Sequence, residues 1–205
     1  MNPSTYWSEL ARGAREILGR PLSEDEARRF EKYMALLVDW NRVHRLIGSA
    51  DPRWIVENVF LDSLLFLRAL PADIQSLADV GSGAGIPGLP IKIVTPLISV
   101  TLIEARQRRV SFLKASVREL ELAGVAVIES RAERVPPDLL GAFDAATARC
   151  TGPPERVFRW ATALVRPGGT IVIAGPENRE PATGLVTVPG WRRGQSRRFL
   201  VRQRI

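Results

Sequence analysis

Asp79-Val80-Gly81-Ser82-Gly83-Ala84-Gly85-Ile86-Pro87-Gly88 follows directly on a short, mostly apolar run, Ser76 to Val80, and leads into another, Gly88 to Val94. Glycines at 81, 83 and 85 let the backbone approach a ligand and turn through conformations that strain other residues. Strand, glycine loop, helix is the opening of a βαβ unit, and doubly wound sheets bind ligands at the carboxyl ends of their strands. The loop therefore predicts both an α/β fold and the place of a site within it.

The same texture continues downstream. Ser99 to Glu104, with Val100, Thr101 and Ile103, reads as the second strand. Arg106 to Leu120 is an amphipathic helix whose buried stripe is Val110, Leu113, Val117 and Leu120. Val125 to Ile128 and Phe143 to Thr147 are strands three and four. Arg156 to Leu164 is a helix, and Pro167-Gly168-Gly169 is a turn into a fifth strand, Thr170 to Ala174. Gly184 to Ile205 reads as a β-hairpin bent at Pro189-Gly190 and a basic loop. The sum is a doubly wound, mostly parallel, seven-stranded sheet.

Upstream, residues 1 to about 70 read as helical. Ser23 and Glu26 fit a capping box that opens a helix with Phe30, Tyr33, Met34, Leu37 and Trp40 on one face. A further helix is predicted from Trp54 to Leu70, closed by Pro71. Residues 1–72 are thus expected as a helical extension packed on the α/β unit of residues 73–205.

Two ligand chemistries fit the loop. Gly83-x-Gly85-x-x-Gly88 matches a dinucleotide fingerprint, which would make a nicotinamide enzyme. Against this, Asp79 would sit awkwardly near a pyrophosphate, whereas it suits a cationic aminoacyl sulfonium ligand. Pro87 also removes an N–H from the helix start that should receive phosphates. Glu104, closing the second strand, can take both ribose hydroxyls of either cofactor. After the third strand, Ala132 and Glu133 stand where an adenine pocket is expected; Glu133, between Arg131 and Arg134, reads equally as a solvated charge.

Composition narrows the rest. The 205 residues suffice for one core, and 45% hydrophobic with 25% charged residues is the balance of a soluble globular protein. No apolar run approaches the ~20 residues of a membrane-spanning helix. Glu9 and Arg12 fall where a signal peptide would be apolar, so a cytoplasmic location is expected. A single Cys150 forms no internal disulfide, and a single His44 argues against a zinc site or a Ser-His-Asp triad, so no metal is expected. The net charge of +7 suits a polyanionic partner, although lysine occurs only at 32, 92 and 114 and an arginine-rich composition arises without selection for binding. Arg192, Arg193, Arg197 and Arg198 in the hairpin are the candidate RNA-phosphate patch.

The loop from Asp79 to Gly88, Glu104-Ala105-Arg106, Arg131-Ala132-Glu133, Thr147-Ala148-Arg149 and Arg166-Pro167-Gly168-Gly169 occur together. With Trp40-Asn41 and Leu61-Asp62-Ser63-Leu64 they make the chain, from about Phe30 onward, resemble the small-subunit ribosomal RNA methyltransferase G family, also called glucose-inhibited division protein B. The resemblance implies a Rossmann-like methyltransferase domain that uses S-adenosyl-L-methionine. It also implies, as substrate, N7 of a guanosine in 16S rRNA, reached by a monomer acting on that RNA or on the small ribosomal subunit, with no membrane contact. It places Gly81, Gly83, Glu104, Ala132, Glu133 and Arg149 at the cofactor and reaction pocket, and Asp79, Gly85 and Ala105 complete the candidate cofactor-binding set. Arg149 is the catalytic candidate, positioning the base or the methionine carboxylate. Guanine N7 already carries a lone pair, so orientation rather than proton removal is required.

Three positions depart from the family pattern. A His three residues before Asp62, an Asn-Leu-Thr after Trp-Asn, and a Lys before the glycine that follows strand five are replaced by Val59, Arg45-Leu46-Ile47 and Ala174-Gly175, and the segment after Gly175 is short. These departures bear on the acceptor and on activity more than on the cofactor. A same-fold methyltransferase with another acceptor, and a non-catalytic ribosome-binding relative, are the alternatives they raise.

Overall fold

The computed structural model describes residues 3–149, 151–175 and 184–205. Cys150 and the short segment after Gly175 lie outside the described residues.

The helical part is built by local signals first. α1 (Pro3–Leu18) precedes α2 (Glu24–His44), which opens on the predicted capping box. The Ser23 hydroxyl accepts from the Glu26 amide at 3.2 Å, and the Glu26 carboxylate accepts from the Ser23 amide at 2.8 Å. The predicted face of α2 is buried at Phe30, Tyr33, Met34 and Leu37, and Trp40 meets Phe112 edge-on at 5.5 Å.

The helix predicted from Trp54 to Leu70 is instead four pieces. α3 (Pro52–Ile55) runs into a π turn (Val56–Leu61), then α4 (Asp62–Leu64), then a 3-10 turn (Leu65–Arg68). One side chain imposes a contact that a regular helix would not leave open: the Arg149 guanidinium donates to the Asn58 carbonyl at 2.6 Å. A π turn is the usual local answer to such an intrusion, and it recurs at functional sites.

The sheet holds seven strands among the described residues: β1 (Ser76–Val80), β2 (Ser99–Glu104), β3 (Val125–Glu129), β4 (Phe143–Ala148), β5 (Val165–Ala174), β6 (Leu185–Pro189) and β7 (Ser196–Gln203). Their order is β3-β2-β1-β4-β5-β7-β6, with β1 to β5 parallel and β7 antiparallel to both neighbours. The predicted seven-stranded, mostly parallel sheet is present. The chain starts mid-sheet at β1, winds out to β3 and returns to β4 on the other side of β1. That reversal opens a crevice at the carboxyl ends of β1 and β4.

One turn was misplaced by the sequence. Pro167-Gly168-Gly169 lies inside β5 as an irregularity, with Phe143 opposite Val165 but Ala145 opposite Thr170. Gly168 adopts φ +79° and donates its N–H to the Arg204 carbonyl at 2.7 Å. The partner is a terminal residue far along the chain, so nothing local announced a bulge rather than a turn.

α5 (Gly88–Val94), α6 (Gln107–Glu119) and α7 (Pro154–Leu164) complete the layers. The N-terminal helices share one hydrophobic cluster with α5, α6 and the sheet, through Leu10, Phe30, Leu37, Phe60, Leu77, Leu89 and Phe112. On the opposite face, Val157, Phe158, Ala161 and Leu164 of α7 pack on Ala78, Val80, Ala146 and Ile171. Each fully buried Phe or Leu contributes about 1.5–3 kcal/mol. The carboxyl edge of the sheet is therefore a rigid rim between two packed layers.

Candidate active site

The glycine loop is shaped by β2 beneath it. The amides of Gly81 and Ser82 donate to the Ile103 carbonyl at 2.8 and 3.0 Å, and Gly85 donates to Ser82 at 2.7 Å. Gly81, Gly83 and Gly85 take φ values of +68°, +59° and +85°, conformations that L side chains rarely adopt. A Cβ on Gly81 would stand 2.3 Å from Thr151 Cγ2. Tyr33 reaches in from α2, and its hydroxyl donates to the Ala84 carbonyl in the loop. The helical extension thus helps to hold the cradle.

Asp79 lies beneath the loop and not on the crevice wall. It is fully buried, and its two oxygens accept from the Gly88 amide and the Thr147 hydroxyl, each at 3.2 Å. Burial pushes its carboxyl up to about 7, against the opposing pull of the Gly88 and Thr147 bonds. The sequence placed this carboxylate beside a ligand; the fold uses it to pin the start of α5 to β1 and β4.

Glu104 stands at the end of β2, 5% exposed. Its oxygens accept from Gly83 N at 3.0 Å and Arg106 N at 2.9 Å, and Arg109 Nη1 lies 3.6 Å away. Two backbone donors fix the carboxylate plane and leave lone pairs facing the crevice.

Two hollows flank the loop and meet at Gly81 and Arg109. The first, of about 350 Å³, is lined by Gly81, Glu104, Ala105, Ala132, Glu133 and, from α7, Trp160. Five of the predicted cofactor residues are therefore brought together. Glu133 is exposed and forms no ion pair among the described residues. The second hollow, of about 360 Å³, is lined by Gly81, Gly83 and Arg149 with Leu46, Ile47, Trp54 and Val59. Two of the three departures from the family pattern, Val59 and Leu46-Ile47, thus form apolar wall. Gly85 touches neither hollow: its missing Cβ makes room for Leu89, whose Cδ1 would lie 2.4 Å away.

Arg149 is ion-paired to Asp62 at 3.1 Å. In the hairpin, two of the four candidate RNA contacts are already engaged. Arg192 bonds Glu9, and bonds Glu57 at 2.6 Å. Arg197 pairs with Asp62 at 2.8 Å. Arg193 is exposed and Arg198 partly so, and neither forms an ion pair among the described residues. Sequence reasoning missed Arg109, Trp160 and Arg156. The last two are spaced i, i+4 on α7 and share a helix face toward the first hollow, a signal the helical period could have supplied.

Comparison with known proteins gives a consistent pattern. The family described as rRNA small subunit methyltransferase G (GidB) matches over residues 26–180. A Ribosomal RNA small subunit methyltransferase G of Xanthomonas campestris pv. campestris (strain B100) is 35% identical over 193 residues, 94% of this chain and 87% of that protein. One from Desulfitobacterium hafniense (strain Y51) is 34% identical over 167 residues, 80% of this chain and 69% of that one. Among solved structures, a SAM dependent methyltransferase from Aquifex aeolicus superposes with TM-score 0.56 at 18% identity, covering 76% of this chain and 94% of that one. The [4+2]-cyclase SpnF superposes with TM-score 0.54 at 22% identity, covering 78% and 63%. Likeness at these identities concerns the fold; the cyclase shows how widely that fold is shared.

Proposed function

Because the chain belongs to the rRNA small subunit methyltransferase G family, we propose that it transfers a methyl group from S-adenosyl-L-methionine to N7 of a guanosine in 16S rRNA. The observation that carries this reading is the meeting of two hollows at Gly81, with Glu104 at the end of the neighbouring strand. The donor set suits the cofactor. Glu104 offers a fixed carboxylate to the ribose hydroxyls, Ala132 and Glu133 line the place of the adenine edge, and Gly81 and Gly83 admit the aminoacyl part because no Cβ blocks it. The volume of the first hollow falls in the range of small-molecule sites, roughly 300–1,000 Å³. When bound, the cofactor supplies an electrophilic methyl group on a sulfonium.

This chain's part is orientation. The second hollow, beside the loop, receives the acceptor base. Arg149 already has Asp62 to balance its charge, so its free N–H groups suit the neutral edge of a base better than a second carboxylate. Val59, Leu46, Ile47 and Trp54 give that base an apolar, water-poor wall. No general base is needed, since N7 presents its own lone pair. Arg193 and Arg198 are the hairpin's remaining phosphate contacts. We take it to act as a monomer in the cytoplasm, where its ribosomal substrate is found.

The test is methyl transfer to small ribosomal subunits from a strain lacking the family's modification, with mapping of the labelled nucleotide. Label on N7 of a single 16S guanosine is the expected result. Label only on other molecules would favour a different acceptor, the reading that the apolar replacements at Val59 and Leu46-Ile47 support. No cofactor binding by calorimetry would leave a ribosome-binding relative without catalysis.

A further inference from the structure

Arg149 leaves the carboxyl end of β4 and meets the helical extension. Its Nη1 donates to the Asn58 carbonyl at 2.6 Å and stands 3.1 Å from Asp62 Oδ2. The π turn prepares the first of these partners. In a regular α-helix the Asp62 amide would bond the Asn58 carbonyl, four residues back. Here that amide bonds Glu57 and Val59 and passes over Asn58. The turn thus aims one carbonyl at Arg149 and sets Asp62 beside it.

Asp62 has a second partner on the other side. Its Oδ1 lies 2.8 Å from Arg197 Nε, and Arg197 also donates to the Gly175 carbonyl at 3.2 Å. Arg197 belongs to β7 and Gly175 follows β5, so one carboxylate ties the ends of β4, β5 and β7 to the helical extension. The side chains of Asp62, Arg149 and Arg197 are only 16–20% exposed, which sets the cluster apart from solvent-screened surface pairs.

We propose that Asp62 is a positioning residue of the reaction hollow: it fixes the plane of the Arg149 guanidinium against the acceptor base, and Arg197 anchors it from the hairpin. The inference rests on the reading that Arg149 orients the acceptor. It assigns Arg197, a candidate RNA-phosphate contact by sequence, to the interior of the site. Asp62 does not touch the cofactor hollow, so its effect falls on the acceptor step and spares cofactor affinity. A shift of about 1 Å in a reacting group costs up to ~100-fold in rate, and that is the scale of loss when the clamp is cut.

The experiment uses the full chain with Asp62→Asn and Asp62→Glu. Three quantities are read: methyl transfer to unmodified small subunits, calorimetric binding of S-adenosyl-L-methionine, and ¹⁵N-edited spectra of the Arg149 guanidinium. For Asp62→Asn, kcat should fall about 10- to 100-fold. Cofactor Kd should stay within about twofold, because an ion pair outside the cofactor hollow contributes little to that affinity. The Arg149 Nη protons, resolved in the wild type, should exchange faster and broaden towards one another, because only the Asn58 carbonyl still holds the guanidinium. Asp62→Glu should recover much of the rate and keep the Nη protons resolved. A wild-type kcat in Asp62→Asn, or Nη signals unchanged by it, overturns the proposal. So does a parallel loss of rate and cofactor binding in both variants, the mark of a merely structural pair. If the wild type methylates nothing, the functional reading falls, and the guanidinium spectra alone still decide whether Asp62 holds Arg149.

Discussion

Asp79→Asn should remove one pH-dependent part of the chain's stability. The carboxyl of Asp79 is raised by burial from 3.8 to about 7, so the folded chain keeps a proton that the unfolded chain releases between those values. The folded state binds more protons in that window. Stability contributed by the protonated acid is therefore fully present below 3.8 and is lost as pH rises to about 7. At ~1.4 kcal/mol for each tenfold change in proton affinity, the interval amounts to an upper limit of about 4 kcal/mol. That is a large share of the roughly 5–15 kcal/mol by which such domains are stable. Asparagine carries no such proton. Its carbonyl can accept from the Gly88 amide and its NH₂ can donate to the Thr147 hydroxyl, preserving both contacts in the buried site. Urea unfolding followed by circular dichroism from pH 4 to 8.5 checks this, taken as wild type minus variant so that every other titrating group cancels. The wild type should lose ground on Asp79→Asn by up to about 4 kcal/mol as pH rises from 4 to about 7, and little more above that. A difference constant with pH to within about 0.5 kcal/mol would refute the reasoning, because about one eighth of the upper limit leaves no room for a buried, proton-holding acid.

Gly81→Ala should weaken S-adenosyl-L-methionine binding by at least about tenfold, since the added Cβ meets Thr151 at 2.3 Å and a residue at φ +68° is strained by ~1–2 kcal/mol. Calorimetry measures this, and an unchanged Kd would remove the loop from the cofactor site. In the hairpin, Arg193→Gln should lower the salt slope of RNA binding by about 0.7–0.9, while Arg192→Gln should leave the slope unchanged. Arg192→Gln instead removes one partner of Glu9, which is 8% exposed and keeps Arg53 at 3.2 Å, and should cost about 0.5–1 kcal/mol of stability in chemical denaturation. Equal slopes for the two variants would show that the Arg192 ion pairs do not occupy it.

Much of the fold is legible because its signals are local. The strands of the first βα unit, the helix from Gly88 to Val94 and the cap at Ser23 depend on residue type and spacing within a few positions, and each is found where those signals place it. The two misread segments depend on distant partners. The π turn answers to Arg149, about ninety residues downstream, and the β5 bulge answers to Arg204, which follows the neighbouring strand β7 more than thirty residues on. Periodicity carries no information about either. The strand-end residues Gly81, Glu104 and Ala132 were legible for a topological reason: once the strands are placed, every loop at their carboxyl ends converges on one rim; Arg149 came only with the family resemblance.

What the sequence could not show is which way each charge faces. Asp79 and Glu104 both sit at strand ends, yet Asp79 turns beneath the loop to Gly88 and Thr147 while Glu104 faces the crevice. The same holds for the basic residues. Arg192 and Arg197 are indistinguishable in sequence from Arg193 and Arg198, but Glu9, Glu57 and Asp62 come from remote helices to neutralise them. Ion pairs leave the net charge of +7 unchanged while moving it. Charge is cancelled at the Arg192 and Arg197 end of the hairpin, whereas Arg106, Arg131 and Arg156 line the first hollow without an ion pair among the described residues. Those three therefore add positive potential at the crevice mouth, because guanidinium groups without carboxylate partners project their charge and paired ones do not.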